Sequence, residues 1–189
     1  MTDSYVKLFD DNRNLIPVFS LEGDDERTDW RRGEGVAARV WESMGKLQER
    51  GIMTGASITV TSGNMRDVTD SEYVAKLRER GDGVIFYVEF VQLQCGTEDM
   101  VLSMEELEEM RDRTDVLRAD KKNSSLVFLS FPGDEEAMGG CLASGRGFSI
   151  STSKAPPSPA RSLRSRSRTF RKRAFSGPFA RRSSRRCRK

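Results

Sequence analysis

Residues Val84–Val91 read VIFYVEFV. The run is β-branched or aromatic at nearly every position and is broken only by Glu89, so it reads as a buried strand. Upstream, Gly81 closes a helix whose apolar face is Tyr73, Val74 and Leu77, and Thr69 with Glu72 has capping-box spacing at its start. Before that helix comes a second β-branched run, Ala56–Thr61 (ASITVT). Further back, Val36, Val40, Met44 and Leu47 recur at helical spacing. Arg50-Gly51 ends that helix, with glycine where a left-handed cap is cheapest. The earliest strand is Ile16–Leu21 (IPVFSL), and the charged stretch EGDDERTDWRRGEG after it reads as a loop. Downstream, Ser103 with Glu106 forms a second capping box, Leu107, Met110 and Leu117 make a buried stripe, and Leu126–Phe131 (LVFLSF) is a fourth strand.

The order is strand–helix–strand–helix–strand–helix–strand. Such alternation predicts an α/β fold with a parallel sheet built from right-handed crossovers. A doubly wound sheet and part of a (β/α) barrel both fit. In either, chemistry sits at the C-terminal ends of the strands, so the charged loop after the first strand is the first place to search.

Composition bounds the function. The 189 residues include no histidine, which removes the commonest general base and metal ligand. Three cysteines, Cys95, Cys141 and Cys187, lie far apart and form neither a disulfide framework nor a CxxC pair. The N-terminus is polar and acidic, unlike a signal peptide, and no apolar run approaches the roughly 20 residues of a membrane span. No membrane partner and a cytoplasmic address are the expectations. Net charge is +3, but the halves oppose each other: Lys154–Lys189 carries 14 basic residues and no acid, whereas residues 1–153 hold 18 basic and 29 acidic ones.

Several motifs then stand in a specific order. Ser20-Leu21-Glu22-Gly23, Asp29, Arg31-Arg32-Gly33, Glu49-Arg50-Gly51-Ile52, Ile58-Thr59-Val60-Thr61 and Asn64 resemble radical S-adenosylmethionine (radical SAM) enzymes. The group with a C-terminal auxiliary-cluster (SPASM-type) extension is the most similar. Val88–Val91 resembles that group's sixth strand, and Gly139–Arg146 (GGCLASGR) resembles the entry to the extension. The likeness spans residues 15–148.

The resemblance implies the second half of a partial (β/α) TIM-like barrel over residues 1–133, the start of an auxiliary-cluster extension over 134–150, and a disordered basic tail over 151–189. It implies S-adenosylmethionine and a [4Fe–4S] cluster as cofactors of the parent family. Its activity is reductive cleavage of S-adenosylmethionine to a 5′-deoxyadenosyl radical. Ser20 and Arg31 or Arg32 would hold the cofactor's carboxylate, in keeping with the match between a guanidinium fork and a carboxylate. Glu22 is either a further ligand or an exposed strand-end carboxylate. Cys141 would be a thiolate ligand of an auxiliary cluster. The family's CxxxCxxC motif, which supplies the catalytic cluster's three thiolates, is absent from these 189 residues. On the resemblance the chain starts near the fourth barrel strand and catalyses nothing by itself.

From Ser149 onward neither period is present, and Ser, Arg, Pro and Ala dominate. Such a segment cannot bury enough to offset its chain entropy. Read one base back, codons for Pro159–Ser165 (PARSLRS) can spell P-C-P-F-A-P-F, a plausible continuation of the extension. A one-base frameshift after Phe148 is therefore the expectation, and nucleic acid would bind the tail only non-specifically, through counterion release. The rival reading is a small acidic α/β domain whose basic tail binds RNA or another polyanion. Glu89 is left open between a solvent-facing and a cavity-facing position, and Cys95 is expected to pack as a small hydrophobe.

Overall fold

A computed structural model describes residues 1–92, 95–135, 149–152 and 155–159. The chain divides into two units, Met1–Asp134 and Glu135–Lys189. In the first, the elements run α1 (Asp3–Asp11), β1 (Val18–Leu21), α2 (Asp25–Arg32), α3 (Val36–Gln48), β2 (Thr54–Val60), α4 (Met65–Val68), α5 (Ser71–Glu79), β3 (Asp82–Glu89), α6 (Met104–Ala119) and β4 (Val127–Phe131).

The four strands form one sheet in the order β1-β2-β3-β4, every pair parallel, as the alternation of elements predicts. Register aligns Ser20 with Ser57, Ser57 with Phe86, and Phe86 with Leu129. Side chains alternate across the sheet. One face carries Leu21, Ala56, Ile58, Val60, Ile85, Tyr87 and Phe128 into a core shared with Met65, Val68, Val74, Leu77, Met110 and Leu117 of the crossover helices. Tyr87 anchors that core: its hydroxyl donates to the Val68 carbonyl at 2.8 Å and its ring stacks on Phe128. The other face holds Val18, Ser20, Ser57, Thr59, Val84, Phe86, Val88, Val127, Leu129 and Phe131, and none of these is charged. A smaller cluster of Val6, Leu47 and Ile52 packs α1 onto the end of α3.

Several local expectations change. Asp25–Arg32 is a helix, not a loop. Asp24 caps it by accepting the Arg27 amide at 2.7 Å, Asp25 and Glu26 sit in its first turn, and Arg31 and Arg32 sit in its last. Those charges suit the helix dipole at both ends, a signal independent of apolar period. At α5 the cap is Asp70, which accepts the Glu72 amide, instead of a Thr69 capping box. The Thr69 hydroxyl instead donates to the Met65 carbonyl and accepts from Arg113. The Ser103–Glu106 capping box forms as expected. Gly51 takes the left-handed conformation that its position after α3 requires, with φ of 63°.

The second unit contains a two-stranded antiparallel ribbon, β5 (Ser149–Thr152) with β6 (Ala155–Pro159), where neither period predicts an element. Proline fixes φ in the extended range but donates nothing to a ladder, so Pro156, Pro157 and Pro159 suit the margin of such a ribbon. Residues 149–152 and 155–159, which carry no period in the sequence, are the two strands of this ribbon. The calls on 160–189 lie outside the described residues. Among the described residues, no helix is long and apolar enough to cross a membrane.

Candidate functional site

Glu22 after β1, Asn64 after β2 and Phe90 after β3 lie together at the C-terminal ends of the strands, beside the last turn of α2. Glu22 follows β1 directly and is only 3% exposed, which corrects the reading of an exposed strand-end carboxylate. It is held by two guanidinium groups. Arg31 Nη1 donates to Oε2 at 3.0 Å, while Arg32 donates to Oε1 through Nε at 3.0 Å and Nη2 at 2.6 Å. The spacing arises from the helix: Arg31 and Arg32 occupy the last turn of α2, which doubles back over the β1 end. A buried carboxylate with charge-assisted bonds on both oxygens is a satisfied group.

Three side chains fix this arrangement. The Thr28 hydroxyl accepts the Glu22 amide at 3.1 Å and donates to the Asp24 carbonyl at 2.8 Å, locking α2 to the β1 end. Asn64 is buried after β2; its Nδ2 donates to the Glu22 carbonyl at 3.0 Å and to the Thr59 carbonyl at 2.9 Å, and its Oδ1 accepts the Thr61 amide at 2.8 Å. Asp29 accepts the amides of Ala37 and Gly35 at 2.7 and 2.9 Å, which joins α2 to the start of α3. Those backbone donors, Ala37 first, hold the Asp29 carboxyl below its usual range. At Gly23, φ is 111°, and a Cβ there would meet Val68 at 3.2 Å, so the chain must turn on glycine.

Two clefts open beside this cluster. One, of about 590 Å³, is lined by Glu22, Arg31, Trp30, Thr61, Asn64 and Asp99 among others. The second, of about 510 Å³, is lined by Arg31, Thr59, Val88, Glu89, Phe90 and Thr97 among others. Arg31 borders both, with its guanidinium 5.9 Å from the centre of the Phe90 ring. Trp30 projects beside the first cleft at 80% exposure. Glu89 is half-buried in the second, and burial pushes its carboxyl upward. Ser20 lies one row back, half-buried on β1 beside Ser57, on the uncharged face of the sheet. The structure therefore joins Glu22, Arg31 and Arg32 and leaves Ser20 apart from their bonding.

A larger cleft, of about 750 Å³, lies outside the helices and is rimmed by Asp24, Asp25, Glu26, Asp67, Asp70 and Glu72. Four of these six acids have structural work: Asp24 and Asp70 cap helices, Asp25 accepts the Trp41 indole N–H, and Asp67 pairs with Arg27. That cleft therefore ranks behind the strand-end clefts as a site.

Among the described residues no group of three His, Cys, Asp or Glu side chains converges in a manner that could hold a metal ion. Cys95 is exposed in a turn and disulfide-bonded, which corrects the expectation of a buried hydrophobe. Cys141 and Cys187 lie outside the described residues. Thr28 and Asn64, the positioning side chains, went unread in sequence as bonding partners. Asn64 carried a signal through its place in the motif order, whereas Thr28 carried none.

No protein-family model matches this chain, and no curated protein matches it. Among solved structures, the crystal structure of Streptococcus suis SuiB is similar in fold, with a TM-score of 0.55 and 16% identity. The match covers 82% of this chain and 35% of that one, so this chain spans about a third of SuiB.

Proposed function

We propose that residues 1–133 form part of a radical SAM-type barrel and supply the wall that receives the carboxylate of S-adenosylmethionine. The observation that carries the reading is Arg31. It is oriented by Glu22 through one Nη, and it borders both clefts at the strand ends, where parallel α/β folds place their ligands. Its remaining donors suit a carboxylate, and Glu22 with Arg32 holds it in place. The fold likeness to SuiB is consistent with a radical SAM-like fold.

The catalytic cluster is a different matter. It needs three thiolates at CxxxCxxC spacing, and that motif is absent from the 189 residues, while Cys95 is engaged in a disulfide. The residues of this chain do not fit that cluster, so no chemical step is assigned to it. The role proposed is binding without turnover. The rival reading, a polyanion-binding basic tail, rests on residues outside the described ones.

Isothermal titration of the full chain with S-adenosylmethionine tests the proposal. Saturable binding that weakens at least tenfold in Arg31→Ala, about 1.4 kcal/mol or more, is expected. Absent binding, or binding indifferent to Arg31, would overturn it.

A further inference from the structure

At the opposite ends of the strands, where β2 and β3 begin, lies a cleft of about 320 Å³ lined by Gln48, Ile52, Met53, Asp82 and Ser125 among others. Its walls are the ends of α3 and α5 and the residues leading into β2, β3 and β4. The register steps at this point: Thr54 pairs with Asp82 but Gly55 with Val84, which leaves Gly83 as an extra residue in β3. A bulge of this kind frees the neighbouring side chain from strict alternation, and here that side chain is Asp82.

Asp82 is buried and only half satisfied. Thr54 donates to its Oδ1 at 2.5 Å, whereas Oδ2 is buried with no hydrogen-bond partner. Two arginines stand close by, and each is engaged elsewhere. Arg78 Nη1 donates to the Lys122 carbonyl at 3.0 Å and to Asn123 Oδ1 at 2.9 Å, and the Arg80 guanidinium lies 4.1 Å from the centre of the Trp41 ring. A buried carboxylate oxygen without a partner is costly, because no bond offsets its desolvation. The Met53 thioether lies on Gly83, next in the chain to Asp82, in the space that a Cβ would need. Half-exposed and unbranched, Met53 is the adaptable wall of the cleft.

We propose that this cleft binds a small primary alkylammonium, whose N–H groups complete Asp82 Oδ2 and whose carbon chain lies along Ile52 and Met53. Asp82 is the one acid among the lining residues, too few oxygen ligands for a divalent cation. A neutral donor would satisfy the oxygen and leave the carboxylate charge without a counter-charge in a buried place. An ammonium supplies both the donor and the charge. The volume is near the lower end of ligand cavities, which suits a chain of a few carbons. The amine enters as the Met53 thioether gives way. The site lies at the far ends of the strands from Arg31, and this inference is independent of the cofactor reading above.

Thermal melts of the full chain with n-butylammonium chloride test the proposal. Tetramethylammonium chloride is the control of equal charge without N–H groups, and n-butanol is the neutral chain. Only n-butylammonium is expected to raise the Tm as a bound ligand does, in step with its concentration. Asp82→Asn keeps the shape and removes the charge, and should weaken binding at least tenfold. In the wild type, the Met53 methyl NMR signal, identified by its loss in Met53→Leu, should shift over the same concentrations. That readout stands even if Asp82→Asn fails to fold. A lysine side chain of a peptide carries the same group, so Nα-acetyl-lysine methylamide serves as the second source, and tighter binding of it than of n-butylammonium would contradict a free amine as occupant. A Tm indifferent to n-butylammonium, an equal rise with tetramethylammonium, an undiminished response in Asp82→Asn or an unmoved Met53 signal would overturn the proposal.

Discussion

The Asn64 side-chain amide bridges two strand ends, donating to the Glu22 carbonyl at 3.0 Å and to the Thr59 carbonyl at 2.9 Å. Asn64→Ala leaves those carbonyls and the Thr61 amide without partners in a buried place, and is expected to destabilise by about 2–3 kcal/mol. Asn64→Asp should be worse at neutral pH, because an acceptor then faces two carbonyls, and part of its loss should return in acid. Urea unfolding of the two variants at pH 5 and pH 7 checks both statements. Equal stability of Asn64→Ala and wild type would remove Asn64 from its positioning role.

Glu22 pairs with both Arg31 and Arg32 from a buried position, whereas both arginines are about one-third exposed. Glu22→Ala strands two half-solvated cations and should destabilise by about 2 kcal/mol, less than a fully buried pair would. Arg32→Ala, which leaves Arg31 on the carboxylate, should be milder. Chemical denaturation of the two single variants and the double variant measures the coupling. Strict additivity would mean that the three side chains do not act as a unit.

Tyr87 and Tyr73 make a matched pair of tests. Tyr87 donates to the Val68 carbonyl, and its removal in Tyr87→Phe leaves that acceptor buried, an expected loss of about 1–2 kcal/mol. The Tyr73 hydroxyl oxygen is buried with no hydrogen-bond partner, so Tyr73→Phe should be neutral or stabilise by up to about 1 kcal/mol. Thermal melts of the two variants should move in different directions, and equal losses would contradict the environments assigned to the two rings.

Asp82 opens β3 from a buried position. Thr54 donates to its Oδ1 at 2.5 Å, its Oδ2 has no partner, and burial pushes its carboxyl up to about 6 despite the Thr54 bond. The folded-state value lies above the unfolded value of about 3.9, so the folded chain holds the proton more tightly. This group's contribution is therefore most favourable below about pH 4 and is lost as pH rises to about 6, a span of roughly 2–3 kcal/mol. Asp82→Asn should remove that slope and be more stable than wild type at pH 7. Urea midpoints taken from pH 4 to pH 8 give the difference, and parallel curves for the two proteins would contradict it.

Much of the fold was legible because its signals are local. The apolar runs at Ile16–Leu21, Ala56–Thr61, Val84–Val91 and Leu126–Phe131 each overlap a strand of the sheet, with no end displaced by more than two residues. The Ser103–Glu106 box also needs only four residues to specify itself. Helix α2 escaped because an apolar period was sought in a segment whose helix is set by a cap and by end charges. The Asp70 cap displaced the Thr69 reading for a tertiary reason: Arg113, 44 residues away, engages the Thr69 hydroxyl.

By itself, then, the sequence determined a parallel α/β order, the charge opposition between the body and the tail, and the absence of the three-thiolate motif, since each is a matter of residue identity and short-range period. Only the tertiary structure decided that Glu22 is buried, that Arg31 and Arg32 meet on it, and that Asn64 ties the ends of β1 and β2 together. Those properties depend on where a helix end lands over a strand end, and on which backbone groups a neighbouring element happens to reach. Distances between residues remote in sequence are set by packing, and no local pattern encodes them.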